Sequence, residues 1–217
     1  MDMYPFAVFL ALLVGLVCAV AGDPCFTFNG EGYLRFNLHD FDNSGPAHYS
    51  LKFRTRSNHG LLIYSETNNG DDEALFIRDG MLVYHIFNSS PHGVEGYFGG
   101  RFLGTVPVNT GEEVEVHMYR GFDVTDSVQR RTHQQTGLVY TVGGRTYTHV
   151  DFWSRSGIVL DNEVYVGGFK QSLSDTVGNF TGQISGIREE KNNALFRTFS
   201  QNAGGNVDPH CINFTPV

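Results

Sequence analysis

"LKFRTRSNHGLLIYSETNNGDDEALFIRDGMLVYHIF", residues 51–87, decides the fold. At its upstream end "HYSLKFRTR" (48–56) sends Tyr49, Leu51 and Phe53 one way and Ser50, Lys52, Arg54 and Arg56 the other. That period of two marks a strand with one dry and one wet face. "GLLIYS" (60–65) and "MLVYHIF" (81–87) are apolar on both faces, which predicts central strands covered on both sides. Asn58-His59-Gly60, Asn69-Gly70 and Asp79-Gly80 punctuate the runs. Asp79-Gly80 between two apolar runs reads as a tight hairpin, because glycine accepts the positive φ that such turns demand.

The same pattern continues outward. "YLRFNL" (33–38) is predicted to bury Leu34, Phe36 and Leu38, and "EEVEVHMY" (112–119) to bury Val114, Val116 and Met118. "GLVYTV" (137–142) does the same with Leu138, Tyr140 and Val142. Glycine pairs at 99–100, 143–144 and 167–168 supply further turns. No amphipathic helix stands out; "NNALFRTF" (192–199) is expected to give at most a turn or two. "RGFDVTDSVQRRTHQQ" (120–135) is long and polar between two good strands, hence a protruding loop or extended hairpin with Phe122 exposed. Many short strands with frequent glycine turns predict an all-β, two-sheet sandwich, closed or jelly-roll-like, in one domain.

The ends bound the compartment. Phe6 to Val20 form an apolar run followed by Ala19-Val20-Ala21 before Gly22, a signal-peptide pattern over residues 1–21 with an uncleaved anchor as the alternative. Cleavage leaves 217 − 21 = 196 residues, the single domain 22–217, and moves the formal charge from −8 to 15 − 22 = −7. Such acidity excludes a general nucleic-acid binder, and no second apolar run predicts a membrane span in the mature chain. Cys18 leaves with the signal. Cys25 and Cys211 remain, and in an oxidising compartment two cysteines most simply pair. Sequons at Asn88, Asn179 and Asn213 predict an exported glycoprotein.

Catalytic constellations are sparse. Glu113 and Glu115 share one strand face about 7 Å apart, with His117 continuing it. Paired carboxylates at such a separation suit glycoside hydrolysis. A solvated strand face explains the alternating Glu-x-Glu-x-His without strain and is the favoured reading, and no nucleophile-elbow or zinc-binding pattern accompanies them.

"LKFRTRSNHGLLIYS" (51–65), "DEALFIRDGMLVYHI" (72–86), "VYVGG" (164–168) and "FTGQISGIRE" (180–189) together resemble laminin G domains, in order and spacing, from about Phe26 to Cys211. The resemblance implies a two-sheet jelly-roll sandwich of the concanavalin type. It also implies a binding module, secreted and extracellular, with roles in cell adhesion or the extracellular matrix. The family's closing strand commonly carries a cysteine where this chain has Gln183, so the resemblance points Cys211 to Cys25 on the first strand instead.

Further expectations follow from the family. It implies a Ca²⁺ site at one rim, with Asp161 and Asn162 as side-chain ligands, the Val108 carbonyl, and the loop 88–95, whose Glu95 stands late for a ligand. It implies that Lys52, Arg54 and Arg56, joined by Arg35 or Arg78, form a stripe for sulfated glycans. The expected contact surface is the rim gathering Asn88 to Glu95, Val108 and Leu160 to Glu163. The loop 120–135 is a second contact. The sequence reading is therefore a secreted module, not an enzyme, that recognises an extracellular protein or glycan through rim loops. Its alternatives are a lectin-like sulfated-glycan binder and a glycan-cleaving enzyme using Glu113 and Glu115.

Overall fold

The computed structural model describes residues 22–38, 42–68, 70–87, 100–126, 128, 130–152, 158–171, 177–204 and 207–211. The signal sequence, the sequons at Asn88 and Asn213, and the 88–95 loop fall outside these residues.

Two antiparallel sheets form a sandwich. One runs in the order β10 (Arg145–Asp151), β9 (Thr132–Val142), β8 (Val114–Thr125), β3 (Ala47–Arg54), β12 (Thr181–Glu189), β1 (Cys25–Asn29) and β15 (Val207–Asp208), with β13 (Ala194–Leu195) on β12. The other runs β14 (Gln201–Ala203), β2 (Tyr33–Asn37), β11 (Glu163–Val166), β4 (Gly60–Glu66), β5 (Asp72–Arg78), β6 (Met81–Phe87) and β7 (Gly100–Pro107). Among the described residues no helix is long and apolar enough to cross a membrane.

The predicted alternation is the packing. Leu34, Phe36, Tyr49, Leu51, Phe53, Val114, Val116, Met118, Leu138 and Tyr140 all enter the core between the sheets. β4, β5 and β6 are buried on both faces because Leu61, Tyr64, Phe76 and Val83 form a second cluster outside, under Phe169 and Val177. Doubly apolar strands require such a cover.

Two expectations need correction. Residues 192–199 make a turn and the short β13 rather than helix, since pairing with Arg188 and Glu189 satisfies the backbone. Of the two readings of 120–135 the extended hairpin holds, with β8 and β9 paired out to Thr125 and Thr132. The second correction concerns Phe122, expected to be exposed. Phe122 is half-buried there, its ring 5.2 Å from that of His48.

β1 lies between β12 and β15, so the first and last strands are neighbours. Cys25 faces Ser185 in register and is disulfide-bonded to Cys211, with a Cα separation of 5.3 Å across 186 residues of sequence. Gln183 sits buried between Thr27 and Arg54, where a bridge to the last strand is no longer needed.

Strand register defines two ends. Ala47, Arg120, Glu189, Asp72 and Glu163 gather at one, the Arg120 end. Gly60, Gly80, Val108 and Thr181 gather at the other, the Gly80 end.

Candidate docking rim

Arg120, on β8, is fully buried between the sheets. Its Nη1 donates to Glu73 of β5 in the facing sheet, Nη2 donates to the Asn43 carbonyl, and Nε donates to the Gly45 carbonyl at 2.7 Å. The Tyr84 hydroxyl donates to the other Glu73 oxygen. A charge can be carried so deep only when paired and hydrogen-bonded on all sides. Burial alone would lower the Arg120 pKa, but Glu73 and the Tyr49 and Tyr84 phenols outweigh it and hold the guanidinium charged. Burial, with Glu73 beside it, pushes the Tyr84 phenol well up, so it stays a donor.

Through Arg120 this network fixes the loops above it. Asn43 Nδ2 donates to Ser65 Oγ at 2.8 Å and to the Asp161 carbonyl at 3.0 Å, while its backbone N–H donates to Asn162 Oδ1 at 3.0 Å. Gly45 N–H donates to the Ile158 carbonyl at 3.1 Å, and Leu160 N–H to Ser44 Oγ at 3.1 Å. The segments 42–46 and 158–163 are thereby zipped together. Buried Glu189 closes the neighbouring turn by accepting from the Lys191 and Asn192 N–H groups at 3.0 and 2.7 Å. Between these loops lies a cleft of about 630 Å³ with Asp42, Pro46, Tyr49, Ile158 and Lys191 on its walls.

Exposed apolar side chains concentrate at the same end. Among the described residues the large apolar side chains most exposed are Val128 (89%), Phe152 (66%), Leu103 (54%), Val159 (53%) and Phe87 (47%). All but Leu103 lie at the Arg120 end. Val128 is on the β8–β9 tip, Phe152 beside His133 below it, Val159 on the Asp71 carboxylate, and Phe87 opposite Asp72.

The family-implied site residues are distributed differently from expectation. Leu160 to Glu163 do sit on this rim, but Val108 is buried at the Gly80 end, its N–H donating to the Gly80 carbonyl at 2.8 Å. Asp161 N–H donates to the Glu66 carbonyl at the far end of β4. With β5 between, Asp161 and Val108 stand roughly 20 Å apart and cannot share an ion. Asp161 Oδ1 already accepts from Thr67 at 3.3 Å, and Asn162 Oδ1 serves Asn43. Among the described residues no three His, Cys, Asp or Glu side chains converge to hold a metal. Asp161 and Val108 therefore do not belong to one calcium site, and the 88–95 part of the expected set lies outside the described residues.

Lys52 and Arg54 do share the outer face of β3, but both reach Glu113, at 3.8 and 3.1 Å. Arg35 and Arg78 cannot join them. They lie on β2 and β5, on the outer face of the other sheet. Arg56 packs against Gly111. Glu113 is thus an ion-pair partner, and Glu115 lies 3.6 Å from His117. Asn179 is half-buried at the Gly80 end with its carboxamide against Gly168.

The residues that build the rim, Arg120, Glu73, Asn43 and Glu189, were not singled out in the sequence. A charged residue in the run "VHMYRGF" breaks strand alternation at Arg120, and that break is the only available signal. The His48–His117 pair, with Nε2 and Nδ1 3.0 Å apart, was also hidden, because cross-strand neighbours are 69 residues apart in sequence.

A laminin G domain family profile matches residues 53–192. The LG1-3 region of a laminin alpha2 chain superposes with a TM-score of 0.64 at 17% identity, over 86% of this chain and 34% of that one. Domains LG4-5 of the mouse laminin alpha1 chain superpose with a TM-score of 0.63 at 16% identity, over 87% of this chain and 46% of that one. The chain thus spans between a third and a half of these structures' length, and their likeness concerns fold alone. No curated protein sequence matches it. Laminin G domains are generally non-enzymatic binding modules of extracellular proteins, and the disulfide accords with that setting. The profile match, together with the jelly-roll sandwich around it, places the chain in the laminin G domain family.

Proposed function

We propose that this chain is a secreted laminin G-type adhesion module that docks an extracellular protein through its Arg120 end. The observation that supports it is that Val128, Phe152, Val159 and Phe87 stand in solvent at one end of the sandwich, where the segments 42–46 and 158–163 are tied down from below. Val159 stands on one of these held segments, and an exposed apolar group on a fixed loop loses little conformational freedom on binding. In this reading residues 1–21 are cleaved, the domain begins at Gly22, and Asn179 carries a glycan at the opposite end, clear of the docking loops.

The sulfated-glycan alternative is the weaker one, since Glu113 lies between Lys52 and Arg54. The hydrolytic alternative would have to free Glu113 from both cations. Screening the mature protein against immobilised extracellular proteins and glycans separates these readings. Val159→Asp combined with Phe152→Ser should reduce capture of protein ligands at least tenfold, whereas Lys52→Gln with Arg54→Gln should leave it unchanged. The opposite pattern would overturn the docking rim.

A further inference from the structure

A second site lies on the outer face of the sheet that holds β4, β5 and β6. Its acidic end, Asp72, borders the Arg120 rim at Phe87. Its test uses small amines that need no protein partner, so it fails separately from the docking reading. On β5 the side chains of Asp72, Ala74, Phe76 and Arg78 alternate outward. Ala74 pairs in register with Tyr64 of β4 on one side and His85 of β6 on the other. One methyl group among four large neighbours leaves a pit, about 210 Å³, edged by Val177. Its floor and walls are apolar and aromatic, and Asp72, Arg78 and His85 are half-exposed at its mouth.

The mouth is electrically lopsided. Arg78 lies over Phe76, its guanidinium carbon 5.2 Å from the ring centroid, and marks the positive end. At the other end Asp72 is crowded by acids: burial, then Glu66, Asp71 and Glu73, push its carboxyl up to about 6. Its neighbours are already engaged. Glu73 holds Arg120, Asp71 accepts from the Val159 N–H, and Glu66 pairs with Lys170 at 3.0 Å. Asp72 has no cation among the described residues. Lys170 shows what this surface does with one: its ammonium lies 5.1 Å from the Phe169 ring and 5.9 Å from the Tyr165 ring while reaching Glu66.

We propose that the pit over Ala74 binds an alkylammonium group, with the charge on the Asp72 carboxylate and the methylene stem laid between Tyr64 and Phe76. A carboxylate short of a cation, an aromatic wall for cation–π contact and an apolar floor for a flexible stem are what a lysine-type group needs. The volume is below that of drug-sized sites and suits one side chain. The net charge of −8 favours the approach of basic partners. Neutral His85, its pKa lowered by burial and by Arg101 and Arg78, adds no repulsion. The ligand is either a lysine on a protein partner or a free aliphatic amine; the chemistry is shared.

NMR chemical-shift titration of the mature protein tests this with three probes: N-acetyl-lysine methylamide, cadaverine and N-acetyl-norleucine methylamide. The first two should bind in the millimolar range, shifting residues around Ala74, and the norleucine compound at least tenfold more weakly. Tighter binding of the lysine amide assigns the site to a protein partner; tighter binding of cadaverine assigns it to free amines. Asp72→Asn should weaken the amines at least tenfold while thermal unfolding shifts upward, because a repelled charge is gone. Ala74→Leu fills the pit and should do likewise without touching charge. Amine binding that survives Asp72→Asn, or norleucine binding equal to lysine, overturns the proposal, and so does the absence of any shift.

Discussion

The two ends of the sandwich are closed by opposite means. At the Gly80 end the backbone does the work. Gly80 turns with φ +76°, Gly111 with φ +85°, and Gly143 and Gly144 with φ +57° and +72°. The chain reverses there in short hairpins whose N–H and carbonyl groups bond each other, as Gly80 does with Asn58 and Val108. At the Arg120 end side chains do it: one guanidinium, one carboxylate, two phenols and an asparagine hold loops that otherwise have few ladder bonds. A backbone closure tolerates sequence change outside its glycines. A side-chain closure concentrates its energy in a few atoms, and leaves the loop tips free to present Val128, Phe152 and Val159. That asymmetry is what favours the Arg120 end in the docking reading proposed above.

The largest expected effect belongs to neither end. Reducing the Cys25–Cys211 bond opens a loop closed across 186 residues of sequence and, in the chain-entropy model, should cost about 5 kcal/mol. Chemical denaturation with and without reductant measures it. Because the bridge joins β1 to the last strand segment, the loss should be equal in variants of either end. A loss that depends on which end is altered would mean the two closures are not independent.

Next comes the buried pair. Arg120→Met leaves Glu73 charged in the core, and breaking such a pair costs about 3–5 kcal/mol. Adding Glu73→Gln should recover most of that, since Tyr84 can still donate to the amide oxygen. A loss below about 1 kcal/mol for the single variant would break the comparison outright. By contrast, Gly80→Ala forces an alanine to φ +76° with its Cβ 2.9 Å from Asn109 Oδ1. The left-handed conformation costs about 1–2 kcal/mol, and the Asn109 side chain can yield. Denaturant midpoints for Arg120→Met and Gly80→Ala should therefore fall in that order.

The same contrast explains what the sequence made legible. The Gly80 end announced itself, because Asp79-Gly80 and Gly143-Gly144 are local signals whose physics lies within four residues. The strands were equally plain, since Leu51, Phe53, Val114 and Val116 report burial by alternation alone. The Arg120 end was opaque. Arg120 finds Glu73 47 residues away and the Asn43 carbonyl 77 residues away. Nothing local distinguishes it from the polar segment that follows. Residues 120–135 read as a protruding loop or an extended hairpin, because polar side chains suit both, and only the backbone pairing decides for the hairpin. Val108 was placed at the cation rim by family analogy, whereas register sends it to the opposite end of β7. Ala74 escaped notice because a pit is made by what is missing.

The smallest predicted effect sharpens the comparison through pH. Beside the Arg120 end, on the outer face of β3 and β8, His48 stacks on Tyr119 at 4.2 Å and meets His117, Phe122 and, through Ser50, the region of Glu190. Burial, then repulsion from His117, lowers its pKa to about 4, with Glu190 opposing. The unfolded side chain titrates near 6.5, so between about 4 and 6.5 the native state binds fewer protons than the unfolded one. Stability from neutral His48 is complete above that window and is lost as pH falls through it. Asp72 works with the opposite sign, since its folded pKa of about 6 exceeds 3.8 and its repulsion is relieved by acid. The raw pH curve mixes both groups, and the informative quantity is the difference between wild type and His48→Gln. That difference should shrink on going from pH 7 to about 4.5, by on the order of 1 kcal/mol once solvent screening is allowed for. Gly80→Ala, acting through backbone strain, should instead run parallel to wild type at every pH. Parallel curves for His48→Gln as well would show that the histidine pair contributes nothing to the Arg120 end. The side-chain closure would then shrink to Arg120 and its four partners.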